Sequence, residues 1–234
     1  MTGDEKSARP ERGRIVIAAS SFADASSGVR LAALLSSRIE AEIQGVFVEE
    51  ESSILFRSPA ARIVSTTGAL LDLPSPDEMR AALKRDALAF EGEIARLARE
   101  HARSWSFRTV QGRLLAHLGE VLRASDILLL GHRALYRLRG PVIRLGRGPR
   151  MEIAASLAAD LGVSVMDIDL PDVGGNGQAG AFAEILSLVG HTSATAIVAD
   201  IVSGPVRTPE QIEALLEAAR CPVILVGDSG SGGG

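Results

Sequence analysis

The stretch RIVIAASSFADASSGVRLAALLSSRIEAEIQGVFV, residues 14–48, decides the class of fold. Its first seven residues, Arg14–Ser20, are a short apolar, β-branched run ending in small residues, the pattern of a buried strand. From Ser27 the period changes. Val29, Leu31, Leu34, Leu35 and Ile39 fall on one face of a helix. Ile43–Val48 returns to strand. Strand, helix and strand in this order form one βαβ unit, which favours a right-handed parallel crossover.

The same alternation continues outward. Residues 49–76 are less regular, opening on Glu49, Glu50 and Glu51 and closing on Leu-Pro-Ser-Pro; a connection of this length carries function or hides short helices. A long amphipathic helix is expected over 77–102, a strand over 106–111, a short helix over 114–124 and an apolar strand over 126–131. A second series follows: strand 141–146, helix 149–161, strand 163–170, a glycine-rich turn at Gly174–Gly177, helix 178–189, strand 195–201, helix 208–220 and strand 222–227. The helix at 208 has the clearest start, with Thr208 as cap, Pro209 in the first turn and Gln211 three residues after the cap. Strands and helices alternating in this way predict an α/β fold with a mostly parallel sheet and helices on both faces. Ligands of such sheets bind beyond the strand C-termini.

An internal repeat is expected as well. Residues 31–48 line up without gaps on 153–170, and PVIRLG (141–146) and PVILVG (222–227) take similar places late in each series. The organisation read from this is a polar leader (1–13), a first unit (14–140), a shortened second unit (141–227) and a glycine-rich tail (228–234).

Composition narrows the chemistry. The chain has 234 residues and a formal net charge of -4, and its only lysines are Lys6 and Lys84 against 23 arginines. Neither lysine follows a glycine, so no Walker-type phosphate loop is present. A single cysteine, Cys221, excludes an internal disulfide or a cysteine-rich zinc site and reads as a buried, inert thiol. The four histidines lack HExxH spacing. The leader has no apolar core and no apolar run reaches membrane-helix length, so a cytoplasmic protein without membrane insertion is expected.

The first half resembles the universal stress protein family, in RIVIAAS with its following helix, IQGVFV entering an acidic loop, the long helix, SFRTVQG, and DILLLGHR at 126–133. The second half resembles a shortened second copy, with PVILVG as the closing strand. The resemblance implies tandem units of the adenine nucleotide alpha hydrolase-like fold and a stress-related regulatory role. It also implies dimerisation, often through the last strands, which two copies in one chain can satisfy as an intramolecular pseudo-dimer; a homodimer or another protein partner is the alternative. Some members of the family bind ATP, using an acid at the end of the first strand and a Gly-x-x-Gly motif after the fourth. This sequence departs at both places, with Ala18-Ala19-Ser20 and Gly131-His132-Arg133-Ala134. If an adenine nucleotide binds, the positions implied are Ala19 and Ser20 at the end of the first strand, Val48 presenting its backbone to the base, and Gly131, His132 and Arg133 near the phosphates.

The most unusual local feature is 132–150, with Arg133, Arg137, Arg139, Arg144, Arg147 and Arg150 and no acid. Arginine forks match phosphate oxygens, and Gly146, Gly148 and Pro149 lead into a helix whose first N–H groups attract anions; Arg147 and Gly148 join the candidate set. The plain alternative is that these arginines pair with acids elsewhere, such as Glu49–Glu51, or with a partner subunit. Asp24, Asp167, Asp169 and Asp200 are the only suppliers of Mg²⁺ ligands for a nucleotidyl- or phosphoryl-transferring enzyme, the second reading. For Asp167 and Asp169, solvent exposure or pairing with arginines is the simpler account. An arginine-based polyanion or nucleic-acid binder is the third reading, disfavoured by the near absence of aromatic stacking platforms. The reading adopted is a non-catalytic regulatory or interaction protein that binds an adenine nucleotide, another anion, or no small ligand.

Overall fold

In the computed structural model, residues 13–49, 62–64, 70–72, 75–113, 126–132, 140–168 and 177–227 are described. Ten strands and five α-helices alternate along them. The first part contains β1 (Arg14–Ala19), α1 (Phe22–Ser36), β2 (Glu42–Glu49), β3 (Arg62–Val64), β4 (Leu70–Asp72), α2 (Pro76–Glu100), β5 (Trp105–Gln111) and β6 (Ile127–Leu130). The second contains β7 (Val142–Leu145), a 3-10 turn (Pro149–Met151), α3 (Glu152–Leu161), β8 (Val165–Ile168), α4 (Gly177–His191), β9 (Ala196–Asp200), α5 (Pro209–Ala218) and β10 (Val223–Val226).

Eight strands form one sheet in the order β5-β2-β1-β6-β10-β9-β7-β8. Every pairing is parallel except β10 with β6. The fold is therefore α/β with a mostly parallel sheet, as the alternation predicts. The antiparallel join divides it into a half where β1 lies between β2 and β6 and a half where β7 lies between β8 and β9, the two running in opposite directions.

Alternate strand residues divide between two apolar layers. Ile15, Ile17, Phe47, Ile127, Leu129 and Ile224 pack with residues of α1, α2 and α3. Val16, Ala18, Val46, Val48, Leu128, Leu130 and Leu225 pack with residues of α4 and α5. On α2, Phe90, Ile94 and Leu97 are fully buried, each contributing about 1.5–3 kcal/mol, and Phe90 meets Phe107 edge to face with ring centres 5.5 Å apart. The strand starts of the first half are tied by Arg14, whose backbone N–H and guanidinium donate to Asp126 while its other nitrogen donates to Gln44 at 3.0 Å.

Several expectations change. In its described residues the 49–76 connection holds a two-stranded antiparallel ladder of β3 and β4, and the rest of it, where short helices were the alternative, lies outside the described residues. The long helix starts at Pro76 with a capping box, Ser75 and Glu78 each satisfying the other's backbone N–H. PVIRLG and PVILVG are not counterparts. The first supplies β7, which pairs with β8 and β9; the second supplies β10, which pairs with β6 and β9. The joining pair is thus β10 with β6, the last described strands of the two parts. The expected helix at 114–124 lies outside the described residues. The capping box at Thr208 and Gln211 is present as expected.

Candidate functional site

Ala19, Ser20, Val48, Gly131 and His132 do meet at one edge of the sheet. Ala18 is in register with Leu130 and Ala19 with Phe47, so the ends of β1, β2 and β6 lie side by side. Little space remains between them. Ser21 caps α1, accepting from the N–H of Asp24 at 3.2 Å and donating to its carboxylate at 2.6 Å. The first turn of α1 rests directly on Gly131, where a Cβ would stand 1.8 Å from the Asp24 carbonyl oxygen. The His132 N–H donates to Ser27 Oγ at 3.0 Å, and that hydroxyl donates to the Asp24 carbonyl at 2.9 Å. The donor that a phosphate would need after β6 is therefore spent on α1. Val48 is fully buried, its side chain in the layer opposite that of Ala19. Arg133 lies outside the described residues.

Arg147 and Gly148 are elsewhere. Because β10 runs antiparallel to β6 and is parallel to β9, which is parallel to β7, the C-terminal ends of β7 and β9 lie at the opposite edge. Four inter-strand steps, roughly 19 Å, also separate β7 from β1. The seven described candidates cannot converge on one ligand. In the arginine-rich stretch, β7 crosses the sheet between His132 and Arg147, and Arg133, Arg137 and Arg139 lie outside the described residues.

At this second edge, an open crevice of about 420 Å³ is lined by Arg144, Gly146, Arg147, Gly148, Met151, Glu152 and Asp167. Arg144 and Asp167 are directly opposite in the β7–β8 register and form a salt bridge. That is the simpler reading of both residues, with Asp167 rather than Glu49–Glu51 as partner. Arg147 is exposed on the rim. With two arginines and two acids the lining is balanced.

The wall towards β9 is built around Asp200, of which 5% is exposed. Its Oδ1 accepts from the backbone N–H of Val202 at 2.8 Å and of Ser203 at 3.0 Å, and its Oδ2 accepts from Ser203 Oγ. The Gly148 backbone, close to Oδ2, also favours the charged carboxylate. Burial pushes this carboxyl upward, but the hydrogen bonds outweigh burial and hold it below its ordinary value of 3.8. Glycine is required around it. A Cβ on Gly148 would stand 2.2 Å from Asp200 Oδ2, and Gly146 has a φ of +110° with its Cβ position 2.9 Å from that of Asp200.

No family model matches the chain, and no curated protein sequence matches it. Among solved structures, it is similar to a universal stress protein family protein from Burkholderia pseudomallei, at 14% identity over 91% of this chain and 95% of that one, TM-score 0.36. It is also similar to the cytoplasmic domain of a prokaryotic cation chloride cotransporter, at 10% identity over 93% and 96%, TM-score 0.34.

The remaining candidates resolve simply. Cys221 is buried, and desolvation pushes its thiol up to about 12, so it is unreactive. His191 ends α4 with Nδ1 2.7 Å from the Ser187 carbonyl, the helix-end contact expected of it. Among the described residues no three His, Cys, Asp or Glu side chains group as metal ligands, and no helix is long and apolar enough to cross a membrane. Sequence reasoning missed Met151 and Glu152 as crevice residues. The break between the 3-10 turn and α3 sets where they stand, and no local motif marks it. For Asp200 the available signal is its neighbours Val202-Ser203-Gly204, since an acid followed by such residues closes a turn on its own backbone.

Proposed function

We propose that the chain is a non-catalytic regulatory or interaction protein built from two universal-stress-protein-like units in one sheet. The crevice at the end of β7 is its ligand-facing element, and an adenine nucleotide or another anion held from the Arg147 side is its ligand. The observation that carries the reading is how the acids are used. Asp24 is engaged at the cap of α1, Asp167 with Arg144, and Asp200 inside its own loop. A transferase would need such carboxylates turned towards Mg²⁺, whereas a binding module needs only the crevice. The near absence of aromatic stacking platforms also weakens the nucleic-acid reading.

The tandem arrangement has separate support. In the gap-free alignment of 31–48 with 153–170, Arg38 corresponds to Asp160, and these two side chains pair with each other through two nitrogen–oxygen contacts. In a two-fold arrangement, equivalent positions meet on the axis. The reversed order β2-β1-β6 and β9-β7-β8 agrees with an axis between α1 and α3, making the molecule an intramolecular pseudo-dimer.

Mass spectrometry of denatured, freshly purified protein tests for carried nucleotide. Calorimetry with ATP, AMP and polyphosphate at moderate salt tests binding directly. Saturable binding that Arg147→Ala weakens is the expected result. Absence of both carried nucleotide and saturable binding removes the ligand from this reading and leaves an interaction surface alone.

A further inference from the structure

We propose that Asp200 is a resident anion: its carboxylate fills an oxyanion cradle at the end of β9, so the crevice refuses a phosphate on that side. The proposal uses the crevice only as a route of entry and stands whether or not the natural chain binds a nucleotide. Three donors of the loop after β9 converge on this one side chain, the N–H groups of Val202 and Ser203 and the hydroxyl of Ser203, and Gly148 of the loop after β7 packs against it. Successive backbone N–H groups in a tight loop form a concavity suited to an oxyanion. Here two oxygens of the chain's own acid occupy it. The space is walled by glycine, with Gly148 against Oδ2 and both Gly146 and Gly204 near the Asp200 Cβ. Gly146 and Gly148 also line the crevice. Removing the side chain therefore opens the cradle towards solvent rather than leaving a sealed hole.

The cradle is also held from outside. Arg207 donates to the carbonyls of Gly204 at 2.7 Å and Ser203 at 2.9 Å, and the Ile201 N–H donates to the Val226 carbonyl at 3.2 Å. These bonds do not involve the Asp200 carboxylate, so the loop keeps its donors aimed inward without it. A ligand with a phosphate directed at β9 meets a negative charge and filled donors, while one without that group meets neither. Asp200 is thus a specificity-determining residue of the crevice, selecting against phosphate on the β9 side.

Inorganic phosphate titrated against the wild type, Asp200→Gly and Asp200→Asn tests this, with thermal unfolding and phosphorus NMR as readouts and chloride at matched ionic strength as control. The glycine variant is expected to gain saturable phosphate binding, at least about tenfold tighter than the wild type, the equivalent of one charge-assisted hydrogen bond. Phosphate should also restore part of its lost melting temperature. The asparagine variant, whose amide still fills the space, should stay unresponsive. A folded glycine variant that responds to phosphate no more than to chloride overturns the proposal, as does a wild type that binds phosphate equally well. If the glycine variant does not fold in chloride, it is refolded in both salts. Recovery only in phosphate supports the cradle; equal recovery, or none in either, overturns it. Crevice ligands failing to bind the wild type would count against the proposed function and leave this result untouched.

Discussion

The strand ends at Gly131 and at Asp200 hold equivalent places in the two halves, each following the strand beside the first strand of its half, yet they are closed by different atoms. After β6, the filling is main chain: α1 lies against Gly131, and the neighbouring N–H is taken by a serine of the same helix. After β9, the filling is a side chain, an acid that gathers donors from its own loop and lies against Gly148. Main chain in a close-packed position moves only with its whole element, whereas a side chain can be exchanged by one substitution. The first edge is therefore closed by main chain, and the second by a side chain that one substitution can remove.

This contrast is broken most directly at Gly131. Gly131→Ala drives a Cβ into the Asp24 carbonyl, and relief requires α1 to shift as a body, so a loss of about 3 kcal/mol is expected in urea unfolding. A loss below about 1 kcal/mol would mean that α1 yields and this closure is not rigid.

Gly148→Ala should cost less, about 1–2 kcal/mol, because the atom in its way is a carboxylate oxygen that can rotate at the expense of hydrogen bonds. The sharper form is a double-mutant cycle. With Asp200→Gly already present the obstacle is gone, and a coupling of about 1 kcal/mol is expected. Strict additivity would show that Gly148 and Asp200 do not meet.

The smallest effect is in pH. Asp200 is held below 3.8 in the folded chain, so it contributes stability that is fully present above its unfolded value and is lost as pH falls through the folded one. The stability difference between wild type and Asp200→Asn should therefore be constant at neutral pH and shrink only below about 3.8. A difference that shrinks already between pH 5 and 7 contradicts the hydrogen-bonded carboxylate.

Much of the architecture was legible because it is local. The apolar run at 14–20, the helical stripe from Val29 to Ile39 and the Thr208–Gln211 cap each bury or satisfy their own groups within a few residues, so their pattern appears directly in the chain. The capping box at Ser75 was equally local and was passed over because the prolines around it read as the end of a loop. Pairing of Arg144 with Asp167 was half legible, since opposite charges on neighbouring strands attract, but the partner depends on register.

What the chain alone determined is the order of elements, which face of each is apolar and where the arginines concentrate. Only the tertiary structure decided that β10 runs against β6, and with it that Arg147 and His132 face opposite edges. Nothing in the residues of an apolar strand such as PVIL distinguishes a parallel from an antiparallel neighbour, because both bury the same alternating side chains. The choice is made by contacts between segments far apart in sequence. For the same reason the sequence offers Asp200 as one acid among several, and the fold makes it the anion at the centre of a cradle.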